Sequence, residues 1–459
     1  MSTLLIKNGV VVTASDTVQA DVYVKDEQVC AIGRHLKIHA DQVIDATGCY
    51  LFPGGVDAHT HMELPFMGTT ASDTFETGTL AGLHGGTTTI IDFAIQTRGD
   101  SLTNALMQWH AKADNHAVGD YAFHLAVTDF SESARQEIQS IVETKGVSSF
   151  KTFMAYKDSL MLDDMQIVSL MEEVKKYGGM VTTHAENGDM ADSLVNENRS
   201  RGNLAPKYHA ASRPPEVEAT ATQRVLDLAY GGNHPLYIVH LTCEAALNSV
   251  RNATQRNQKA FIETCTQYLL LDESLYLQDN FDGAKYIMSP PLRKKKDRDA
   301  LWAGINQNLI EVVASDHCPF CMEQKRMGKD DFSKIPNGGP GVENRMELLF
   351  SEGVLKNRIS LNKYVELTAT APARIFGLHP QKGSIAVGSD ADIVIFDPHY
   401  QHTISAATHH MNCDYNLYEG WQVTGKCRST ILRGTVAIDR GQAFIGKGFG
   451  KYIARKKVF

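Results

Sequence analysis

The chain has 459 residues, of which 43% are hydrophobic and 21% are charged, a composition that excludes a disordered or fibrous protein. Its 45 Lys and Arg against 53 Asp and Glu give a net charge of −8, which argues against a nucleic-acid-binding protein, because phosphate contacts need clustered positive charge. No apolar run approaches the ~18 residues of a membrane span, and no signal peptide is evident. The eight cysteines lack a disulfide-framework spacing, so we expect a cytoplasmic protein with free thiols.

Residues 1–50 are predicted to form short strands and tight turns, with Asn8-Gly9 as a hairpin signal. From residue 51 onward, short apolar segments alternate with longer segments of helical periodicity. The predicted strands are 51–58, 87–93, 121–127, 148–153, 180–183, 236–239, 260–263 and 312–315. Strands that alternate with helices predict a parallel sheet, and eight such units predict a closed (β/α)8 TIM-like barrel.

The helical pattern ends after Gly377, and short β segments return at 383–388, 391–397 and 429–438. Because both ends of the chain are rich in β structure, we predict an α/β fold in which a small β-sandwich domain built from both chain termini flanks the barrel. The predicted bounds are 1–52 plus 380–445 for the β-sandwich domain, 53–379 for a metal-dependent barrel domain, and 446–459 for a C-terminal tail that is a candidate oligomerisation arm.

Metal-competent side chains end five of the predicted barrel strands. They are His59, His61, Lys151, His184, His240 and Asp316. A (β/α)8 barrel places its active site at the carboxyl ends of its strands, so these side chains are expected to converge. Four histidines and an aspartate offer nitrogen and oxygen donors that suit Zn²⁺.

Lys151 does not fit this set as an ammonium group, because a cation cannot bind a metal ion. One interpretation is a lysine whose charge is screened by carboxylates. The other is a neutral amine that takes up CO₂ and forms a carbamate, whose two oxygens can bridge two metal ions. The residues alone leave both interpretations open.

Several motifs together resemble a known family. They are 56–61 (VDAHTH), 149–156 (SFKTFMAY), 184–187 (HAEN), 288–293 (MSPPLR), 315–320 (SDHCPF), 336–340 (PNGGP) and 388–392 (GSDAD). This combination resembles the cyclic amidohydrolases and, within them, the dihydropyrimidinase and D-hydantoinase branch. The match extends over essentially the whole chain.

The resemblance implies a binuclear zinc centre with two Zn²⁺ per subunit. His59 and His61 would hold the more buried ion, which Asp316 completes. His184 and His240 would hold the second ion, and a hydroxide and carboxylated Lys151 (N6-carboxylysine) would bridge the two. The resemblance also implies a substrate site at Tyr156, Ser289 and Asn337, and a homotetramer or homodimer.

The predicted activity is hydrolysis of cyclic amide bonds in dihydropyrimidines and 5-substituted hydantoins, which gives N-carbamoyl amino acids. The metal-bridging hydroxide would attack, Asp316 would transfer its proton, and Tyr156 would stabilise the oxyanion. An allantoinase or another cyclic ureide hydrolase is an alternative. Dihydroorotase is disfavoured, because Glu63 stands where those enzymes of the family place an arginine. A non-catalytic scaffold is disfavoured by the complete ligand set.

An apolar slot is expected for the substituent on the substrate ring. The candidate residues are Met62, Leu64, Phe66, Phe153 and Leu160.

Two neighbouring motifs are not assigned a function. Cys318-Pro319-Phe320-Cys321 has the spacing of a thioredoxin-like motif, but it follows a barrel strand rather than a strand of a small βαβ domain, so a redox site is not predicted there. His317 is left out of the metal ligands, because it points away if Asp316 points inward.

Overall fold

The computed structural model describes residues 3–457, and strands of two main sheets account for most of its β structure. The strands before residue 150 are β1 Thr3–Val12, β2 Thr17–Lys25, β3 Gln28–Gly33, β4 Gln42–Asp45, β5 Tyr50–Pro53, β6 Gly55–Thr60, β7 Pro65–Phe66, β8 Thr69–Thr70, β9 Thr87–Ile95, β10 Asp120–Ala126 and β11 Ser149–Phe153. Those that follow are β12 Met180–His184, β13 Leu236–Ile238, β14 Phe261–Cys265, β15 Val312–Ala314, β16 Ile393–Thr403, β17 Gln422–Leu432, β18 Thr435–Asp439 and β19 Gln442–Ala443.

The helices lie mainly between the barrel strands. They are α1 Phe75–His84, α2 Leu102–Ala113, α3 Glu132–Glu143, α4 Asp164–Lys176, α5 Gly188–Ser200, α6 Tyr208–Ala211, α7 Pro215–Gly231, α8 Glu244–Gln255, α9 Thr266–Leu270, α10 Lys295–Asn306, α11 Met322–Lys325, α12 Arg345–Leu349, α13 Leu361–Val365 and α14 Ala371–Ile375. Polar side chains cap the first turn of several helices. At the start of α4, for example, the Asp163 side chain accepts a hydrogen bond from the backbone N–H of Gln166. Within residues 3–457, no helix is both long enough and apolar enough to cross a membrane.

Eight parallel strands form the barrel in the order β6-β9-β10-β11-β12-β13-β14-β15. Bonds between the first strand and the end of the last complete the ring: the N–H of His61 donates to the carbonyl of His317 at 2.8 Å, and that of Ser315 donates to Asp57. Strands such as β10 are buried along their whole length, because helices cover the outside and side chains fill the inside. The predicted (β/α)8 barrel is confirmed.

One predicted strand is divided in the structure. Residues 51–58 were expected as a single strand, but β5 ends at Pro53 and belongs to the other sheet, whereas β6 begins at Gly55 and belongs to the barrel. Gly54 lies between them, and a Cβ at this position would collide with the Thr88 side chain. Only glycine allows the chain to pass so close to β9, so the two sheets meet at this residue.

The second sheet contains nine strands drawn from both ends of the chain. Its order is β19-β18-β17-β16-β5-β1-β2-β3, and β4 also pairs with β1. The contact between the two ends is the antiparallel pair β5 and β16, in which Phe52 faces Val394. Lys382 fastens this sheet to the barrel, since its buried ammonium group binds Asp120 at 2.6 Å and Asp392 at 2.8 Å. The predicted β domain from both termini is confirmed.

The C-terminal segment returns to the amino-terminal side of the barrel. Tyr121, at the start of β10, donates to the carbonyl of Lys451 and accepts from the N–H of Ile453. Further along, the N–H of Lys456 donates to Gly377. The tail predicted as an oligomerisation arm therefore packs on its own barrel as far as 457, and residues 458–459 lie outside the described residues. A role of the tail in oligomerisation stays a prediction.

Candidate metal centre and substrate cavity

His59, His61 and Asp316 converge at the carboxyl ends of the first and last barrel strands. The Nε2 atoms of His59 and His61 lie 3.2 and 3.3 Å from Oδ1 of Asp316. Two ligands at bond lengths of about 2.0–2.1 Å on a tetrahedral zinc ion would be separated by roughly 3.4 Å. The spacing of these three donor atoms thus fits one zinc ion. Asp316 reaches this position with φ of 51°, in the left-handed region.

His184 and His240 form the second part of the site. Nδ1 of His184 lies 2.9 Å from Nε2 of His240, and both residues are buried. The rings of His240 and His59 are 5.3 Å apart, so the two histidine pairs are neighbours. Within residues 3–457, the buried Nδ1 atoms of His61 and His240 have no hydrogen-bond partner. Four imidazoles thus lie close together with ring nitrogens facing one another, an arrangement that fits a site for metal ions.

Lys151 projects into the same space from β11 and is only 1% exposed. Its Nζ lies 4.8 Å from the Phe93 ring and 5.2 Å from the Phe153 ring. No salt bridge links this amine to a carboxylate within the described part of the chain, although the charges of Glu263 and Asp316 act on it, so both interpretations of Lys151 stay open. Burial lowers the pKa of Lys151 to about 8, although Glu263 and Asp316 act in the opposite direction.

Two buried carboxylates, whose roles were not predicted from the sequence, orient the histidines. Glu263 accepts from Nδ1 of His59 at 2.6 Å, from the Tyr237 hydroxyl at 2.8 Å and from the N–H of His240. A proton on Nδ1 leaves the lone pair of His59 Nε2 directed towards Asp316, as metal binding requires. Burial raises the pKa of Glu263 to about 8, and a cation bound nearby would lower it again.

Glu186 has the same relation to His184. Its Oε2 lies 2.7 Å from His184 Nε2 and 2.8 Å from the Arg213 guanidinium. Burial raises the pKa of Glu186, but the charges of Arg213 and His184 outweigh this effect and hold the pKa well below its usual range. Glu186 is therefore an anion that fixes the His184 ring with Nδ1 facing His240.

A small cavity of about 60 Å³ opens above the histidines. Tyr156, Ser289 and Asn337 line one wall, where the Tyr156 hydroxyl bonds both other side chains and Asn337 Nδ2 donates to Ser289 Oγ at 3.0 Å. Burial raises the pKa of Tyr156, so its hydroxyl keeps its proton at neutral pH. Within residues 3–457, no hydrogen bond uses the backbone N–H of Ser289 or Asn337. The structure thus brings the three predicted substrate residues together.

Apolar side chains form the opposite wall. Four of the five candidates for the slot line the cavity, namely Leu64, Phe66, Phe153 and Leu160. The structure corrects the fifth candidate, because Met62 is fully buried behind the wall, with its sulfur against α1 at Gly78. Ile95 and Met288 line the cavity as well, although the sequence did not single them out.

His317 does not face the site, as the sequence predicted. Its Nε2 lies 2.9 Å from a carboxylate oxygen of the buried Asp73.

This geometry can be compared with known proteins. Residues 50–437 match the amidohydrolase family. The chain belongs to the amidohydrolase family. It is 46% identical to a D-hydantoinase from Geobacillus stearothermophilus, over 99% of this chain and 97% of the relative, and 46% identical to a D-hydantoinase from Streptomyces coelicolor, over 99% and 98%. It also superimposes on the crystal structure of a dihydropyrimidinase from Brevibacillus agri, with 48% identity, a TM-score of 0.98 and 99% coverage of both chains.

These similarities place this amidohydrolase in the hydantoinase and dihydropyrimidinase branch, as the motifs predicted. A more distant solved structure, an L-hydantoinase from Arthrobacter aurescens, has 28% identity and a TM-score of 0.90, with 99% of this chain and all of that chain covered. The members of the branch thus keep one architecture while their sequences diverge widely.

Proposed function

We propose that the protein hydrolyses the cyclic amide bond of 5-substituted hydantoins and dihydropyrimidines and releases N-carbamoyl amino acids. The observation that carries this proposal is the convergence of His59, His61, Lys151, His184, His240 and Asp316 below one cavity. Full-length similarity to enzymes named D-hydantoinase supports the same reaction. The chain is thus proposed as a hydrolase of C–N bonds in cyclic amides.

The donor set fits two zinc ions. His59, His61 and Asp316 would hold one ion, and His184 and His240 the other. Lys151 lines the same cavity as both groups and forms no salt bridge within the described residues, which supports carboxylation of its amine as the bridge. Two bound zinc ions would lower the pKa of a water molecule held between them and would polarise the substrate carbonyl.

The protein's own side chains supply the remaining steps. Asp316 is placed to accept a proton from the attacking water and to return it to the leaving ring nitrogen. The protonated Tyr156 hydroxyl is placed to donate to the oxyanion that develops on the substrate carbonyl. The unused backbone N–H groups of Ser289 and Asn337 supply donors for the oxygens of the imide edge. Phe66 and Phe153 lie beside Tyr156, with ring centroids 5.5 and 6.1 Å from its ring, and limit the access of bulk water.

The cavity wall favours a neutral substrate with an apolar substituent. Within the described residues no arginine lines this wall, and Lys151 is assigned to the metal centre, so a substrate carboxylate such as that of dihydroorotate has no cationic side chain to pair with. Glu63 is turned away, and its carboxylate accepts from the N–H of Phe75. Allantoin carries a polar ureido group, for which Leu64, Phe66 and Leu160 offer no hydrogen bonds. Both alternatives are therefore disfavoured.

A substrate panel tests the proposal. With zinc-loaded protein, we expect turnover of dihydrouracil, hydantoin and 5-phenylhydantoin, with the highest kcat/KM for the phenyl compound, because its ring fits the apolar wall. Allantoin and dihydroorotate are expected to react at least about 100-fold more slowly, since their polar groups would be left without partners. Ring opening is measured as the loss of the substrate's ultraviolet absorbance. An absence of turnover for all hydantoins and dihydropyrimidines would refute the proposed function.

The apolar wall sets the preference among 5-substituents. Leu64→Ala or Phe153→Ala should lower kcat/KM for 5-phenylhydantoin about 10-fold or more relative to unsubstituted hydantoin, because a lost apolar contact is worth about 1–3 kcal/mol. Metal content should stay unchanged. Met62→Leu is the matched control, since Met62 is buried behind the wall. If the ratio of the two substrates stays constant in both alanine variants, these residues do not form the slot.

The assembly and the compartment are also proposals. A homotetramer or homodimer is supported only by membership of the branch, and a cytoplasmic location only by the free thiols. Light scattering of the purified protein distinguishes these assemblies from a monomer.

A further inference from the structure

A second cluster of metal-competent side chains lies outside the catalytic site. It consists of Cys321, Cys413 and Asp414, which we call the thiol cluster. Cys321 follows the last barrel strand, whereas Cys413 and Asp414 lie in the connection between β16 and β17 of the other sheet. One ligand atom from each residue lies within 4.8 Å of the other two, and the two sulfurs are hydrogen-bonded to each other.

The two sulfurs contact both donors and an acceptor, since the Cys321 thiol donates to the carbonyl of Asn412 at 3.8 Å. The backbone N–H of Asp414 donates to the Cys321 sulfur, and the backbone N–H of Tyr415 donates to the Cys413 sulfur. The hydrogen bond from Cys413 and the N–H of Asp414 lower the pKa of Cys321 to about 6, which favours the thiolate, the form that binds metals. The same hydrogen bond and burial raise the pKa of Cys413, so its proton leaves only when an ion replaces it. No lysine or arginine forms an ion pair with Asp414 in residues 3–457, so the carboxylate is not committed to a cation.

We propose that the thiol cluster binds one thiophilic divalent cation, of the Zn²⁺ or Cd²⁺ class, through Cys321 Sγ, Cys413 Sγ and the Asp414 carboxylate. Two sulfur donors select a soft or borderline ion over Mg²⁺ or Ca²⁺. Three protein ligands leave a fourth tetrahedral position for water. Both thiols give up their protons to solvent when the ion binds, so the affinity rises with pH.

The thiol cluster is accessible from solvent and is separate from the catalytic centre, and both features support a metal site there. Cys321 and Cys413 are partly exposed, and Asp414 is exposed, so an ion can enter from solvent. The cluster shares no residue with the catalytic centre. It is connected to that centre through Asp73, which accepts from the N–H of Asn412 at 2.9 Å and bonds His317, next to Asp316. An ion held here would brace the loop that carries Asp316 against the second sheet.

The test is a titration of Cd²⁺ into reduced protein whose catalytic site has been loaded with zinc. We expect one saturable equivalent per chain with an ultraviolet thiolate-to-cadmium charge-transfer band. Exchange of zinc at the catalytic centre does not produce this band, because its six donors contain no sulfur. In Cys321→Ser and Cys413→Ser, the affinity is expected to fall about 100-fold or more. Asp414→Asn is expected to weaken binding and to keep the band.

Cys30→Ser is the matched control, since Cys30 is an exposed cysteine of the other sheet and should leave the titration unchanged. Melting curves of all variants establish that they are folded. Absence of a saturable band in the wild-type protein would overturn the proposal. A band that survives in Cys321→Ser, or that depends on the cavity residue Cys318 instead, would also overturn it.

Discussion

Lys151→Ala is expected to lower kcat/KM for 5-phenylhydantoin by at least about 10³-fold, which corresponds to about 4 kcal/mol of transition-state stabilisation. The alanine removes the amine between the two histidine pairs, and with it the proposed carbamate bridge and part of the affinity for both ions. Zinc content should fall in parallel. The measurements are steady-state kinetics, metal analysis and the mass of the intact protein under non-denaturing conditions. In the wild type this mass should exceed that of the chain with its bound zinc by one CO₂.

A short carboxylic acid distinguishes a bridging role from a structural one. Acetate or propionate added to Lys151→Ala should restore part of the activity, because two carboxylate oxygens can occupy the place of the carbamate. Lys176→Ala is the matched control, since Lys176 is an exposed residue of α4 that pairs with Glu173. If Lys151→Ala keeps its zinc and its activity, the bridging role is wrong.

Asp316→Asn is expected to lower kcat by about 10³-fold with a smaller change in KM. The amide has nearly the same shape as the carboxylate but cannot accept the proton of the attacking water, and general acid–base groups contribute about 10²–10⁴-fold. Zinc retention should fall less than in Lys151→Ala, because an amide oxygen still faces His59 and His61. The measurements are kinetics and metal analysis on the same preparation.

Asp189→Asn serves as the control for Asp316→Asn, since Asp189 is an exposed carboxylate that pairs with Lys157. Activity within about tenfold of the wild type, in zinc-loaded Asp316→Asn, would assign the proton transfer to another group. If Asp316→Asn loses all of its zinc, the loss of activity reports only the loss of the metal ligand. Asp316 would then be a metal ligand, and the role in proton transfer would be rejected.

The positions of the candidate site residues could be predicted because they follow from geometry. Parallel strands in a barrel end on one face, so polar residues at the ends of apolar strands, such as His184 and His240, must meet there. The terminal β domain could be predicted in the same way, from the return of strand patterns after Gly377. The exact boundary between this domain and the barrel could not be predicted, because the passage from β5 to β6 depends on the close approach of Gly54 to Thr88.

Glu263, which orients His59, was missed because its partner is distant in the chain, whereas Glu186 was missed although it lies only two residues from His184. Glu263 lies 204 residues from His59, and in the sequence it is one carboxylate within an apolar strand. Nothing local indicates that it accepts a hydrogen bond from a histidine. Met62 was misplaced for a similar reason, since only the packing against Gly78 determines that its side chain turns away from the cavity. Periodicity assigns a residue to an element, but not to its tertiary partner.

The pairing of β5 with β16 has a consequence for how the chain folds during synthesis. Phe52 emerges from the ribosome early, whereas its partner Val394 emerges only after the entire barrel has been made. Throughout that interval, the first five strands present an open edge and an apolar face that can join another nascent chain. Pairs so distant in sequence also form slowly, because closing a long loop costs entropy before any contact compensates for it. Folding yield, more than the stability of the finished enzyme, is therefore the property most exposed to mutations in the first fifty residues.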